Sequence, residues 1–142
     1  MTAPPPGPDA AAERGAAAPP LVLVVDDSEK NLKLARDVLR GAGLRTLEAA
    51  NGAEALALAR DHLPDVILLD LQLPDLDGTV VARKLADSAE TESIPIVALS
   101  AQRLDASADW VRSAGFAGYL EKPIHVETFP DRVLAYCSDT PE

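Results

Sequence analysis

The sequence predicts an α/β fold, a doubly wound five-stranded parallel sheet, and two observations lead there. Short unbroken apolar runs of strand length alternate with segments whose apolar residues recur at helical spacing. The runs themselves do not alternate apolar with polar positions, the pattern of strands buried on both faces and joined by helical crossovers. Right-handed crossovers then place helices on both sides of one sheet.

Five strand and helix pairs follow in order. Leu21-Val22-Leu23-Val24-Val25 is the first strand, and a helix from about Ser28 to Arg40 presents Leu32, Ala35 and Leu39 on one side. Ser28 is suited to cap its start, and Gly41 or Gly43 to stop it. A weaker strand at Thr46 to Ala49 leads to a helix opening near Asn51-Gly52, with Leu56, Ala59 and Leu63 on one face and Pro64 as its end. Val66-Ile67-Leu68-Leu69 runs into Asp70, and a loop with Pro74 and Gly78 leads to a helix through Val81 and Leu85. Ile94 to Leu99 forms the fourth strand, ending at Ser100, before a helix from about Asp105 to Ala114 that carries Trp110 and Val111 and closes at Gly115. Tyr119-Leu120 is a short fifth strand. The last helix would present Val126, Phe129 and Val133, with Pro130 tolerated only within about its first turn.

Composition sets the limits. A length of 142 residues suits one domain with short tails. The expectation is a domain over residues 21–136, a disordered Pro/Ala-rich tail over 1–20 and a C-terminal tail over 137–142, with no room for a second catalytic or DNA-binding domain. Residues 1–20 hold six Pro, seven Ala and two Gly, and no periodic apolar face. The start has neither a basic n-region nor an apolar h-region, so no secretory signal is read, and no apolar run is long enough to span a membrane. With Cys137 as the single cysteine, an internal disulfide is excluded. Twenty-three acidic against thirteen basic side chains give a net charge of −10, which repels nucleic acid and anionic membrane surfaces. A cytoplasmic protein that meets other proteins is expected.

In a sheet of this kind ligands bind at the carboxyl ends of the strands. The residues found there are Asp26 and Asp27 after the first strand, Asp70 after the third, Ser100 after the fourth and Lys122 after the fifth. Converging carboxylates repel one another unless a cation joins them, and oxygen ligands without Cys or His favour Mg2+. Lys122 supplies a point charge for Asp70 or for a phosphoryl oxygen, and Ser100 a hydroxyl donor for the same oxygen. A carboxylate beside Mg2+ can attack phosphorus to give an aspartyl-phosphate, so the set describes a phosphoryl-transfer site with Asp70 as acceptor.

Any of these acids alone has a plainer reading as a helix cap or loop residue. Their convergence weighs against it, because four strand ends carry the residue types one chemistry needs. Intervals of 43, 30 and 22 residues separate Asp27 from Asp70, Asp70 from Ser100 and Ser100 from Lys122. His62 and His125 have no second ligand at helical spacing and are read as structural, as are Cys137 and Trp110.

With those intervals, Leu23-Val24-Val25-Asp26-Asp27, Leu69-Asp70 with Leu73-Pro74 and Asp77-Gly78, Ala98-Leu99-Ser100-Ala101, and Tyr119-Leu120-Glu121-Lys122-Pro123 resemble the receiver domains of bacterial two-component response regulators over about residues 21–136. The resemblance implies a flavodoxin-like (βα)5 fold of strand order 2-1-3-4-5. It also implies that Asp70 accepts a phosphoryl group from a histidine kinase or a histidine phosphotransfer protein. Asp27, Asp70 and the backbone carbonyl of Gln72 would hold Mg2+, and Asp26 would reach the ion through water. Lys122 would bind the phosphoryl group, next to a cis bond to Pro123.

Ser100 and Tyr119 match the switch pair of such domains, the hydroxyl moving towards the phosphate as the ring turns inward. Driving such an equilibrium nearly to completion needs about 5.5 kcal/mol of differential interaction, the order of a few charge-assisted hydrogen bonds. Gln72 and Gln102 occupy positions that in such domains look over the incoming water and so tune phosphate lifetime, here with neutral amides whose effect on rate has no set direction, and Pro130 stands at the start of a helix that such domains commonly use to meet partners.

Two rivals are carried forward. A phosphatase of the haloacid-dehalogenase type would place its nucleophile after the first strand in a D-x-D pattern under a cap domain, whereas this strand ends Asp26-Asp27-Ser28. A module of the same fold that binds its partner regardless of phosphorylation would not need the full acidic and lysine set.

Overall fold

The structure, a computed structural model, describes residues 19–71, 73–75, 77–100, 115–121 and 126–137. The elements run β1 (Leu21–Val25), α1 (Glu29–Gly41), β2 (Arg45–Ala49), α2 (Gly52–His62), β3 (Val66–Asp70), α3 (Gly78–Ala86), β4 (Ile96–Ser100), β5 (Gly118–Glu121) and α4 (Phe129–Cys137). All four strand pairings are parallel, and the sheet order is β2-β1-β3-β4-β5. This is the doubly wound sheet predicted, in the order the resemblance implied. The helix expected over 105–114, with Trp110, lies outside the described residues, as do His125, Gln102 and residues 1–18.

Unbroken apolar strands are explained by two cores, one on each side of the sheet. Val22, Val24, Val66, Leu68, Val97 and Leu99 face Leu32, Ala35 and Leu39 of α1 and Phe129 and Val133 of α4. The alternate residues Leu23, Val25, Ile67, Leu69 and Ala98 face Ala55 and Ala59 of α2 and Val81, Ala82 and Leu85 of α3. Every strand residue from Val66 to Leu69 is fully buried, which is why no polar alternation interrupts the run.

Helix ends follow local chemistry. Ser28 Oγ accepts from the Asn31 N–H, Asn51 Oδ1 from the Glu54 N–H and Asp77 Oδ1 from the Thr79 N–H, each capping the helix that follows. Helix α1 includes Gly41, and the left-handed turn falls on Gly43 (φ +95°).

Two differences from the sequence reading trace to proline, and two others lie at the ends of the domain. Leu63 does not share the buried face of α2; it is the C-cap at φ 48° and is 54% exposed. The residue before a proline is pushed out of the right-handed helical region, so Pro64 ends the helix one residue early. Val126 lies in a turn outside α4 and is exposed, because a helix begun there would bury Pro130 in its interior and lose a hydrogen bond. With the start at Phe129, Pro130 occupies the second position, where its missing N–H costs nothing. Cys137, assigned to the C-terminal tail, is the last residue of α4. Pro19 and Pro20, assigned to the N-terminal tail, accept hydrogen bonds from Arg45 Nε and the Arg45 N–H at the start of β2.

Burial, reinforced by the nearby Asp65 carboxylate, pushes the Cys137 thiol up to about 11. Both causes disfavour the thiolate, so the fold loses stability as pH rises from the ordinary thiol range through about 11. Iodoacetamide labelling of native protein at pH 8 is expected to run about a hundredfold slower than after denaturation, since only the thiolate reacts. Equal rates would show that Cys137 is freely ionised in the native fold.

Candidate functional site

The β1–β3 register sets Val25 opposite Leu69, so the residues that follow, Asp26 and Asp70, end their strands at the same level. Asp27 stands one residue further along the connection to α1. One carboxylate oxygen from each of Asp26, Asp27 and Asp70 lies within 4.8 Å of the others. Asp26 and Asp70 are buried, at 1% and 6% exposed, while Asp27 is open to solvent. The sheet therefore brings together three of the acids singled out by sequence, with one of them at the surface.

Asp26 is held from several sides. Its N–H donates to the Ala49 carbonyl at 3.0 Å, tying the end of β1 to the end of β2. Its Oδ1 accepts from the Ser28 N–H at 2.9 Å and its Oδ2 from Asn31 Nδ2 at 3.3 Å. Asn31 was not singled out by sequence. Its signal is positional: it sits in the first turn of α1, three residues after the cap Ser28, where a side chain can turn back to the strand end.

Asp70 is the last residue of β3 and pairs in register with Leu99. The Leu71 N–H donates to the Leu99 carbonyl at 3.2 Å, and the Gly78 N–H to the Leu71 carbonyl at 3.1 Å, closing the base of the loop. Gly78 is needed there for space: a Cβ would stand 2.8 Å from both the Asp70 carbonyl oxygen and the Leu71 Cα. Sequence placed Gly78 in the loop but did not reveal this approach.

Ser100 ends β4 and pairs in register with Glu121, while Tyr119 pairs with Ala98. Tyr119 is half-buried and packs against the core shared with α2 and α3. Lys122, Pro123 and Gln72 lie outside the described residues. The backbone of β5 nevertheless ends at Glu121, one residue before Lys122, on the sheet edge that carries the acids.

As a donor set, three carboxylates with no nitrogen or sulfur suit a hard divalent cation such as Mg2+, which takes one or two carboxylates directly and fills the rest of its shell with other oxygens and water. Among the described residues no other group of His, Cys, Asp or Glu gathers closely enough to hold a metal. No described helix is long and apolar enough to cross a membrane.

Comparison with known proteins points the same way. Residues 22–134 match the family described as the response regulator receiver domain. The chain is 40% identical over 121 residues to the polar-differentiation response regulator DivK of Brucella anthropi, covering 85% of this chain and 98% of that protein. The chemotaxis response regulator CheY4 of Vibrio cholerae superposes with a TM-score of 0.79 at 28% identity, over 84% of this chain and 99% of that one. The receiver domain of the sensor histidine kinase PA1611 from Pseudomonas aeruginosa, whose structure has a magnesium ion coordinated in the active site cleft, superposes with a TM-score of 0.76 at 29% identity over 85% and 99%.

Proposed function

Since the chain belongs to the response regulator receiver domain family, we propose that it is a phosphorylation-switched signalling domain whose phosphoacceptor is Asp70. The observation that carries this reading is the meeting of Asp26, Asp27 and Asp70 within 4.8 Å at the carboxyl edge of the sheet. A histidine kinase or histidine phosphotransfer protein is the donor. An Asp70 carboxylate oxygen attacks phosphorus, the P–N bond of the donor's phosphohistidine breaks, and its electron pair returns to the imidazole nitrogen.

Asp27, Asp70 and the backbone carbonyl of Gln72 would hold Mg2+, with Asp26 reaching it through water, and the ion would supply positive charge against the phosphoryl oxygens. The Lys122 ammonium and the Ser100 hydroxyl then bind those oxygens, and Tyr119 responds to the movement of Ser100. The chain is a phosphoacceptor with self-limited transfer and hydrolysis chemistry and is not a turnover enzyme. It acts in the cytoplasm on a protein target, in keeping with a net charge of −10 that disfavours nucleic acid.

Incubation with Mg2+ and acetyl phosphate followed by intact-mass measurement tests this. Wild type is expected to gain one phosphoryl group and an Asp70→Asn variant none. Rapid release of phosphate from many esters would indicate a phosphatase instead, and no adduct a phosphorylation-independent module.

Metal linkage gives a second expected result. Mg2+ at about 100 times its Kd stabilises a protein that binds it only when folded by about 2.7 kcal/mol. Wild type should show that rise in thermal unfolding and lose it with EDTA. Asp27→Ala, which removes an exposed ligand without opening the core, should show little of it; an undiminished rise would remove Asp27 from the metal site.

A further inference from the structure

The loop that leaves Asp70 is tied at a point the chemistry of the site does not itself require. Asp75 Oδ1 accepts from the Gly52 N–H at 2.8 Å and Asp75 Oδ2 from the Ala53 N–H at 3.0 Å. These are the first two amides of α2, which no residue of that helix can satisfy. The third, from Glu54, is taken by Asn51 Oδ1 at 2.8 Å, and Glu54 Oε1 in turn accepts from the Ala50 N–H at 2.7 Å. Helix α2 is thus capped twice, once by its own flank and once by a carboxylate from a loop 22 and 23 residues away.

The second cap fixes the loop as well as the helix. Its base is closed between Leu71 and Gly78, and Asp77 binds the Thr79 N–H and hydroxyl to start α3. Asp75 is the point at which its far side is anchored to a different element. That element follows β2, whose last residue, Ala49, accepts from the Asp26 N–H. A connected path therefore runs from Asp26 through Ala49 and the α2 N-terminus to Asp75, whose loop leads back along the chain to Asp70, so that two of the three clustered acids lie on it.

We propose that Asp75 is a positioning residue of the phosphoryl-transfer site: by holding the first two amides of α2 it fixes the loop leaving Asp70, and so lowers the Mg2+ concentration at which the site fills. This rests on the receiver reading given above. Groups that orient metal ligands typically alter affinity by about 10–100-fold when removed, and a tether acting through the loop belongs at the low end of that range.

The test compares Asp75→Ala with Asn51→Ala in the full chain. Both remove a cap from the same helix end, but only the first removes the loop's side-chain bonds to α2. Mg2+ affinity is measured by calorimetry, alongside thermal unfolding and the Mg2+ dependence of acetyl phosphate labelling. Asp75→Ala is expected to raise the Mg2+ Kd about tenfold, while Asn51→Ala lowers the unfolding temperature and leaves the Kd unchanged. Asp75→Asn, which keeps one acceptor oxygen, should shift the Kd less and in the same direction, and serves if the alanine variant does not fold.

Unchanged Mg2+ affinity in both Asp75 variants would overturn the proposal and leave Asp75 as a helix cap. Equal weakening by Asn51→Ala would overturn it too, because the effect would then pass through α2 stability alone. If wild type itself neither binds Mg2+ nor takes up a phosphoryl group, the receiver reading fails and the proposal falls with it. That outcome is distinct from a normal wild type with an indifferent Asp75.

Discussion

Gly78→Ala is expected to abolish phosphorylation and to destabilise the fold by about 2–4 kcal/mol, the upper range for a single overpacked position. The added Cβ would meet the Asp70 carbonyl oxygen and the Leu71 Cα at 2.8 Å, and both are backbone atoms that no rotamer change can move aside. Either α3 must retreat or the end of β3 must shift. The second option displaces the Asp70 carboxylate itself. Gly118 gives a useful contrast: there an added Cβ would meet the Tyr136 side chain, which can swing away, so Gly118→Ala should cost less. Urea unfolding and acetyl phosphate labelling check both; a Gly78→Ala variant of native stability and normal labelling would show that the loop yields freely at this contact.

Leu68→Ala carries the second large effect. Leu68 is fully buried at the centre of the sheet, two residues before Asp70, in the core with Val24, Leu99 and α1. Truncating a buried leucine costs about 2–5 kcal/mol through lost transfer energy and the cavity left behind. Against a typical total of roughly 5–15 kcal/mol, this is a large share of the stability of the domain. The neighbouring Leu69 lies on the opposite face, in the core with α2 and α3, and is unchanged. The folded fraction of Leu68→Ala should therefore still label on Asp70 with Mg2+, while its urea midpoint falls sharply. Loss of labelling in protein shown to be folded would mean that the cavity left at Leu68 displaces Asp70, two residues on along the same face of β3.

Much of this fold was legible because its strands are so completely buried. The run from Val66 to Leu69 reads as an interior strand since both alternating sets meet helices, and the acid that breaks it marks the edge of the sheet. Asp26, Asp27 and Asp70 were legible for the same reason: strand ends of a parallel sheet lie side by side, so linear spacing translates into proximity. Periodicity misled where proline set the boundary, assigning Leu63 and Val126 to helical faces when both are exposed beyond helix ends. Asn31 and Asp75 escaped because short polar side chains bonded to a neighbouring turn leave no apolar pattern. The partner amides of Asp75 belong to Gly52 and Ala53, whose side chains say nothing about a bond their backbone makes.

The residues that α2 buries completely are small. Gly52, Ala55 and Ala59 bring its backbone close to the sheet, whereas α1 sets Leu32 and Leu39 into the opposite core. Hydrophobic stabilisation scales with apolar area removed from water, and here Leu56 and Leu58, partly buried against the same core, supply what the small residues do not. The two faces of β1 and β3 are therefore held differently, one by large side chains set into the core and one by a helix whose fully buried residues are small. Asp70 thus ends a strand seated by bulk on one side and by small residues on the other.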